Sequence, residues 1–521
     1  MPVQDQDHLH RLIRSMTGAE KRYFKLYTSR HVVAGHSNHQ ALFDAVDAMP
    51  AYDLQALRAQ FAGQPFMRRF PIAKRRLYEA VLDSLDAFHA NSSVDDRVRR
   101  MLHHAEVLYH KALYEDAERV LRAATALARA HDRQALLLQA AEWERRFAER
   151  ANYTGTTPAE LDARARRTDA LLVEWGEVDR LWQAKTEAFM LLYRSGQAPD
   201  LRALEALREV EARPLLADRA HLHSARARFL HHHVRSALAY ARNNMHAAER
   251  ELVACAHLLR AGKKVFAGET GLVLGVMGNL AMVRMRLGKH QEALDGFREF
   301  RKVPLLMAQA PGPDLGMKLF VMGSSLHLAV LCAQGEFAKA AGLLPGVEEG
   351  LARYGARIST IRRAELSLQA AYAAFGAGQH DRALRWCNGL LGEKHIEEHT
   401  ELHALARILH LACLLELGKH DLLPYMVRNG RRAARRKDPV FRLEKILLDH
   451  AQAFAKPMET AARYVQWARL AADIGACTAD PREAAVLEQM DLAAWARAKA
   501  DDLQFADLVK ARWRAKAAAE K

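Results

Sequence analysis

Apolar residues recur at helical spacing along this chain. Ile72, Leu77, Tyr78, Val81, Leu82, Leu85 and Phe88 mark one face of a helix over 70–89. Helices are also expected over 9–27, 40–49 and 53–61, so residues 1–95 form a helical module. That module is either a compact bundle or a winged-helix-like unit without obvious wing strands. Thr157-Pro158-Ala159-Glu160 reads as a capping box with Pro at the first helical position, and a helix starts there. Breaks fall at Ser195-Gly196, Arg213-Pro214, Lys456-Pro457 and Ala479-Asp480-Pro481. The last 20 residues read as an Ala/Lys/Arg-rich helix or a frayed tail.

One offset pattern repeats. A small or turn residue is followed two residues later by an aromatic, Met or His and five residues later by a small residue, with bulkier residues beyond. It occurs from Ala112 (Tyr114, Ala117, Leu121), Asn243 (Met245, Ala248, Leu252), Gly288 (His290, Ala293, Phe297) and Gly335 (Phe337, Ala340, Leu344). Gly378 (His380, Ala383, Cys387) follows, and Gly418 is the weakest, with Leu423 where Ala is expected. Glycine ends the first helix because it adopts positive φ without a Cβ clash. The Ala lets the second helix cross close to the first, and the larger residues fill the gap beyond it. From about residue 96 onward the chain resembles the tetratricopeptide-repeat superfamily, and as a whole it is similar to a group of bacterial tetratricopeptide-like proteins. The resemblance implies an all-α fold with a right-handed α-solenoid of helix hairpins over 96–455. Capping helices and a basic tail would follow over 456–521. From Asn243 on, the turns lie 45, 47, 43 and 40 residues apart, longer than the usual repeat of about 34, so the hairpins are irregular. Residues 133–230 match poorly and read as degenerate repeats.

The 521 residues include 15 prolines, 28 glycines and five scattered cysteines without a C-x-x-C pair. The cysteines read as reduced, buried thiols of a cytoplasmic protein. No secretory signal is evident at Met1–His8. The most apolar stretch is read as 270–283, too short to span a bilayer. The formal charge of +15 permits acidic partners without choosing among them.

Three clusters bear on chemistry. Arg428, Arg431, Arg432, Arg435 and Arg436 fall on one helical face, a stripe suited to phosphates or carboxylates or simply to water. Arg68, Arg69, Lys74, Arg75 and Arg76 could face a nucleic-acid backbone. However, residues 1–100 hold 15 Lys/Arg against 11 Asp/Glu, a modest excess. His395, His399 and His403 align at i, i+4 but do not make an H-E-x-x-H motif, and no metal or cofactor is assigned. No P-loop, nucleophile elbow or dinucleotide fingerprint occurs, and the glycines at 271, 275 and 278 read as close helix packing.

Counting back three and six residues from each turn gives the positions that would face the inside of the array. The candidate groove for a protein or peptide is Tyr109, Tyr240, Asn279, Met282, Met285, Arg286, Tyr372 and Phe375. Its aromatic and Met character suits an amphipathic or extended apolar peptide. Neighbouring helices, or the chain's own C-terminal segment, would fill the same face equally well. The exposure of Tyr372 and Phe375 decides between them. The expected function is a non-catalytic scaffold or adaptor. The alternative is a nucleic-acid-associated regulator using the N-terminal module and the arginine stripe.

Overall fold

The computed structural model describes residues 7–29, 38–195, 201–218, 222–303, 313–393, 396, 400–419, 421–428 and 441–519. Its described residues form 26 α-helices, a few 3-10 turns and no strand. The chain divides into two compact units, residues 1–171 and 172–521.

In the first unit, five helices build one core: α1 (His8–Ser15), α2 (Gly18–Ser29), α3 (Asn38–Ala48), α4 (Leu54–Gln60) and α5 (Phe70–His89). Leu9, Ile13, Phe24, Phe43, Val46, Leu57, Leu77 and Val81 pack together there, with Phe24 stacked on Phe43. The helix expected over 9–27 is broken in two. Met16 takes an extended conformation, and Thr17 and Glu20 form a capping box that starts α2. A second core follows around α6 (Val94–His110), α7 (Tyr114–Ala130) and α8 (Gln134–Arg150). The capping box expected at Thr157 is present. Thr157 N–H donates to Glu160 Oε2 at 2.9 Å, Glu160 N–H to Thr157 Oγ1 at 3.2 Å, and α9 (Pro158–Ser195) begins beside them.

The second unit holds α10 (Leu201–Glu211), α11 (Pro214–Ala217), α12 (Ala225–Ala241), α13 (Met245–Ala261), α14 (Thr270–Arg286), α15 (His290–Lys302), α16 (Pro313–Ala333), α17 (Phe337–Gly342), α18 (Leu344–Tyr354), α19 (Thr360–Gly376) and α20 (His380–Leu391). Then come α21 (Thr400–Glu416), α22 (Arg442–Phe454), α23 (Thr460–Ala476), α24 (Pro481–Gln489), α25 (Leu492–Ala500) and α26 (Phe505–Ala519). Helices α12 and α13, α14 and α15, and α19 and α20 pair as consecutive hairpins, and near the end α23 pairs with α25. The first helices α14, α16, α19 and α21 also pack one on the next.

The six turns share one geometry. Ala112, Asn243, Gly288, Gly335, Gly378 and Gly418 all lie at positive φ, between 58° and 77°. At each, the turn residue's N–H bonds three residues back and the next N–H bonds five back. Examples are Gly378 N to Phe375 O at 3.0 Å and Gln379 N to Ala374 O at 2.9 Å. This double bond satisfies carbonyls left open at the helix end. Ala117, Ala248, Ala293, Ala340, Ala383 and Leu423, five residues past each turn, are fully buried.

The apolar-stretch reading needs correction. Among the described residues one helix, Asp314–Ala333, is long and apolar enough to cross a membrane by length and composition. It lies within the hairpin series, against α14, α15, α17 and α19. All five cysteines are buried and none is in a disulfide.

Candidate functional site

The face predicted to bind is built differently along its length. On α14, Leu272, Gly275, Asn279, Met282 and Arg286 share one helical face and keep solvent contact, Asn279 most of all. The packing role expected for the three glycines holds only at Gly278, where a Cβ would meet Met322 Cε at 3.1 Å. A Cβ on Gly275 would meet nothing within 4 Å, so this residue leaves open space over the helix.

The end of the α14 face turns polar. The Arg286 guanidinium donates to Asn243 Oδ1 and Glu488 Oε2, each at 3.0 Å, and hydrogen-bonds to the Tyr240 hydroxyl. Burial is the largest influence on the Tyr240 phenol and raises its pKa. Arg286 opposes this, and Glu401 and Glu365 reinforce it. The charges of Arg286 on α14, Glu365 on α19 and Glu401 on α21 thus all act on the Tyr240 phenol of α12. Arg286 is no free carboxylate clamp, because its side chain is 9% exposed and already paired.

Sequence counting missed the first turns of α19. Arg362 Nη1 donates to Glu365 Oε2 at 2.9 Å, and Nη2 to the Tyr193 hydroxyl at 3.3 Å. Arg362 is exposed and Glu365 half-exposed. Further along the same face, the Gln369 amide oxygen is buried without a partner among the described residues.

Beyond Gln369 the face is closed. Tyr372 and Phe375 are 6% and 2% exposed, so at these two positions the expected open groove is absent. The chain itself fills it. The Tyr372 hydroxyl accepts from Asp491 N–H at 2.9 Å, and Trp495 stands edge-on to Phe375 at 5.6 Å. Trp495 Nε1 donates to Glu416 Oε1 at 2.6 Å, and Lys499 Nζ donates to Glu416 Oε2 at 3.0 Å. Burial, joined by Asp491 and Cys332, pushes the Tyr372 phenol well above its ordinary range.

The remaining candidates lie elsewhere. Tyr109 belongs to the first unit, ringed by Tyr114, Trp143 and Phe147 at 5.2–5.6 Å. Met285 is half-buried on α14. Arg428 ends a described helical turn, whereas Arg431, Arg432, Arg435 and Arg436 lie outside the described residues. His395 and His399 lie outside them too, and His403 Nδ1 contacts Arg407 Nη1 at 2.6 Å. In the N-terminal module Arg68, Arg69 and Arg76 are exposed. Lys74 pairs with Asp7, and Arg75 pairs with Glu79 at 2.8 Å. Among the described residues no group of three His, Cys, Asp or Glu side chains is placed to hold a metal ion.

Outside this face, a cleft of about 590 Å³ lies between α12 and α13. Arg228, Arg250, His231 and His257 line it over Val253 and Leu258. The buried His231 ring contacts the Leu215 carbonyl through Nδ1 at 2.8 Å. Burial lowers the pKa of this ring.

No family model matches the chain, and no curated protein matches it significantly.

Proposed function

We propose that this chain is a non-catalytic intracellular adaptor that binds a protein or peptide along the inner face of a right-handed, tetratricopeptide-like solenoid. The observation that carries the reading is the α14 strip: exposed Asn279 among half-buried Leu272, Gly275 and Met282, leading to the Tyr240–Arg286 cluster. Apolar and Met contacts with a polar end suit a peptide with a few hydrophobic anchors and one hydrogen-bonding group. Arg362 and Glu365 on α19 offer it a second polar contact. The occupied region at Tyr372 and Phe375 is left out of the binding surface.

Gly275→Arg tests this. The new side chain enters empty space over the strip, and replacing a mid-helix glycine favours the helix by about 0.5–1 kcal/mol. Affinity purification of the full chain from its own cells is the measurement. The specific partners of the unsubstituted protein are expected to be lost from Gly275→Arg, with thermal stability kept. Retention of all of them defeats the assignment of the strip.

A nucleic-acid-associated role is the alternative, resting on the exposed Arg68, Arg69 and Arg76 and the formal charge of +15. DNA affinity that is unchanged between low and high salt counts against it.

A further inference from the structure

We propose that α26 is a resident ligand: a basic amphipathic helix held on the turn edge of the hairpin array, which a helix of the same chemistry on a protein partner replaces. Three anchors at i, i+4 and i+8 put one face of α26 onto the array. Phe505 stacks on Phe337 at 5.1 Å, Val509 is buried, and Trp513 lies against His290 at 3.8 Å. The seat is therefore the turns after Gly288 and Gly335, far upstream in the chain. A helix that merely capped the last hairpin would have no reason to reach them.

Gly335 shows how closely the seat is shaped. It needs positive φ for its own turn, and a Cβ there would also stand 2.8 Å from the Ala506 carbonyl oxygen and the Lys510 backbone nitrogen. Two carboxylates beside the seat meet basic residues of α26, and one of them, Glu336, is shared with Lys339 at 3.2 Å. Lys510 reaches Glu336 at 3.9 Å, and Arg512 Nη1 donates to both Asp491 oxygens at 2.7 Å. These ion pairs are half-exposed, so they orient the helix more than they hold it.

The hold on α26 is thin. Val509 is the only one of its described side chains that is buried, with Phe505, Ala506 and Leu508 half-buried beside it, while the preceding α25 buries Leu492, Ala494, Trp495, Ala496 and Ala498. Between them, residues 501–504 are all exposed, with Asp502 at φ 56° and Leu503 51% exposed. Elements with few buried contacts open first. When α26 leaves, Phe337 and the Gly335 turn become an apolar shelf with two carboxylates beside it. That shelf selects a helix with an aromatic, an aliphatic and a Trp at i, i+4 and i+8, with Lys or Arg beside them.

The inference rests on the adaptor reading, but its test is separate from the α14 strip. A fluorescein-labelled peptide of residues 503–519 is titrated into the full chain, into the milder Arg512→Ala, and into the pair Arg512→Ala/Trp513→Ala. Hydrogen exchange follows α25 and α26 in each. In the double variant, α26 amides are expected to exchange faster while α25 keeps its protection. The peptide then binds it about tenfold or more tighter than the unsubstituted chain, and a Trp513→Ala peptide binds about tenfold or more weaker. Gly275→Arg leaves peptide binding unchanged, so the two readings fail independently. Exchange of α26 only together with α25 in both variants makes α26 a fixed part of the core and overturns the proposal. Freely exchanging α26 without peptide binding overturns it equally.

Discussion

A single backbone angle does most of the organising at the residue scale. Six turn residues adopt positive φ, yet only four are glycine. For an L-residue with a Cβ this conformation costs roughly 1–2 kcal/mol. Ala112 carries that strain at φ 58° in the first unit, so Ala112→Gly is expected to stabilise the unit by a few tenths to about 1 kcal/mol after the added chain entropy of glycine. Gly378→Ala is expected to do the reverse, by about 1–2 kcal/mol, through backbone strain alone, because a Cβ there meets nothing within 4 Å. Urea unfolding of each variant checks the opposite signs. The alanines five residues past the turns leave no room. Ala340→Leu or Ala383→Leu should cost about 1–3 kcal/mol by overpacking, seen as a lower urea midpoint with an unchanged slope. These positions were legible in the sequence because turn chemistry and close packing are local demands, each met by few residue types.

Elements were legible as far as they depend on their own residues. The capping box at Thr157 and the helix over Phe70–His89 came out as read. The box at Thr17, with the same Thr-x-x-Glu signature, splits one expected helix into two. Counting three and six residues back from Gly378 found Tyr372 and Phe375. Continuing the count along the same face would have reached Gln369, Glu365 and Arg362, the last two being half-exposed and exposed. What counting could not supply was the cover. Asp491, Trp495 and Phe505 reach Tyr372, Phe375 and Phe337 from a segment more than a hundred residues away, and no local pattern encodes such a return. Trp495→Ala should therefore be among the most damaging substitutions. It removes a fully buried ring and leaves Glu416 without its indole donor, at a cost of about 3–5 kcal/mol in urea unfolding.

For the whole molecule, the histidines set an acid limit. His39, His231, His233, His327, His380 and His410 all have lowered pKa values, and burial is the leading cause in each. His233 is pushed down to about 4, packed against Phe189 and Phe229 and near Lys185. The unfolded chain protonates this ring from about pH 6.5, whereas the folded chain resists until about 4. Stability is then full above pH 6.5 and falls as the pH drops through that window, by up to roughly 3 kcal/mol from His233. His233→Phe is expected to flatten this slope when urea unfolding is followed between pH 7.5 and 4.5.

The burial of the cysteines has a practical consequence. Cys255, Cys332, Cys387, Cys413 and Cys477 sit in five different helices or turns of the second unit, all shielded from water. A maleimide can reach each sulfur only when the surrounding layer breathes. Labelling rates separated by mass spectrometry would thus rank the layers of this array by how often each comes apart, with no probe engineered into the protein.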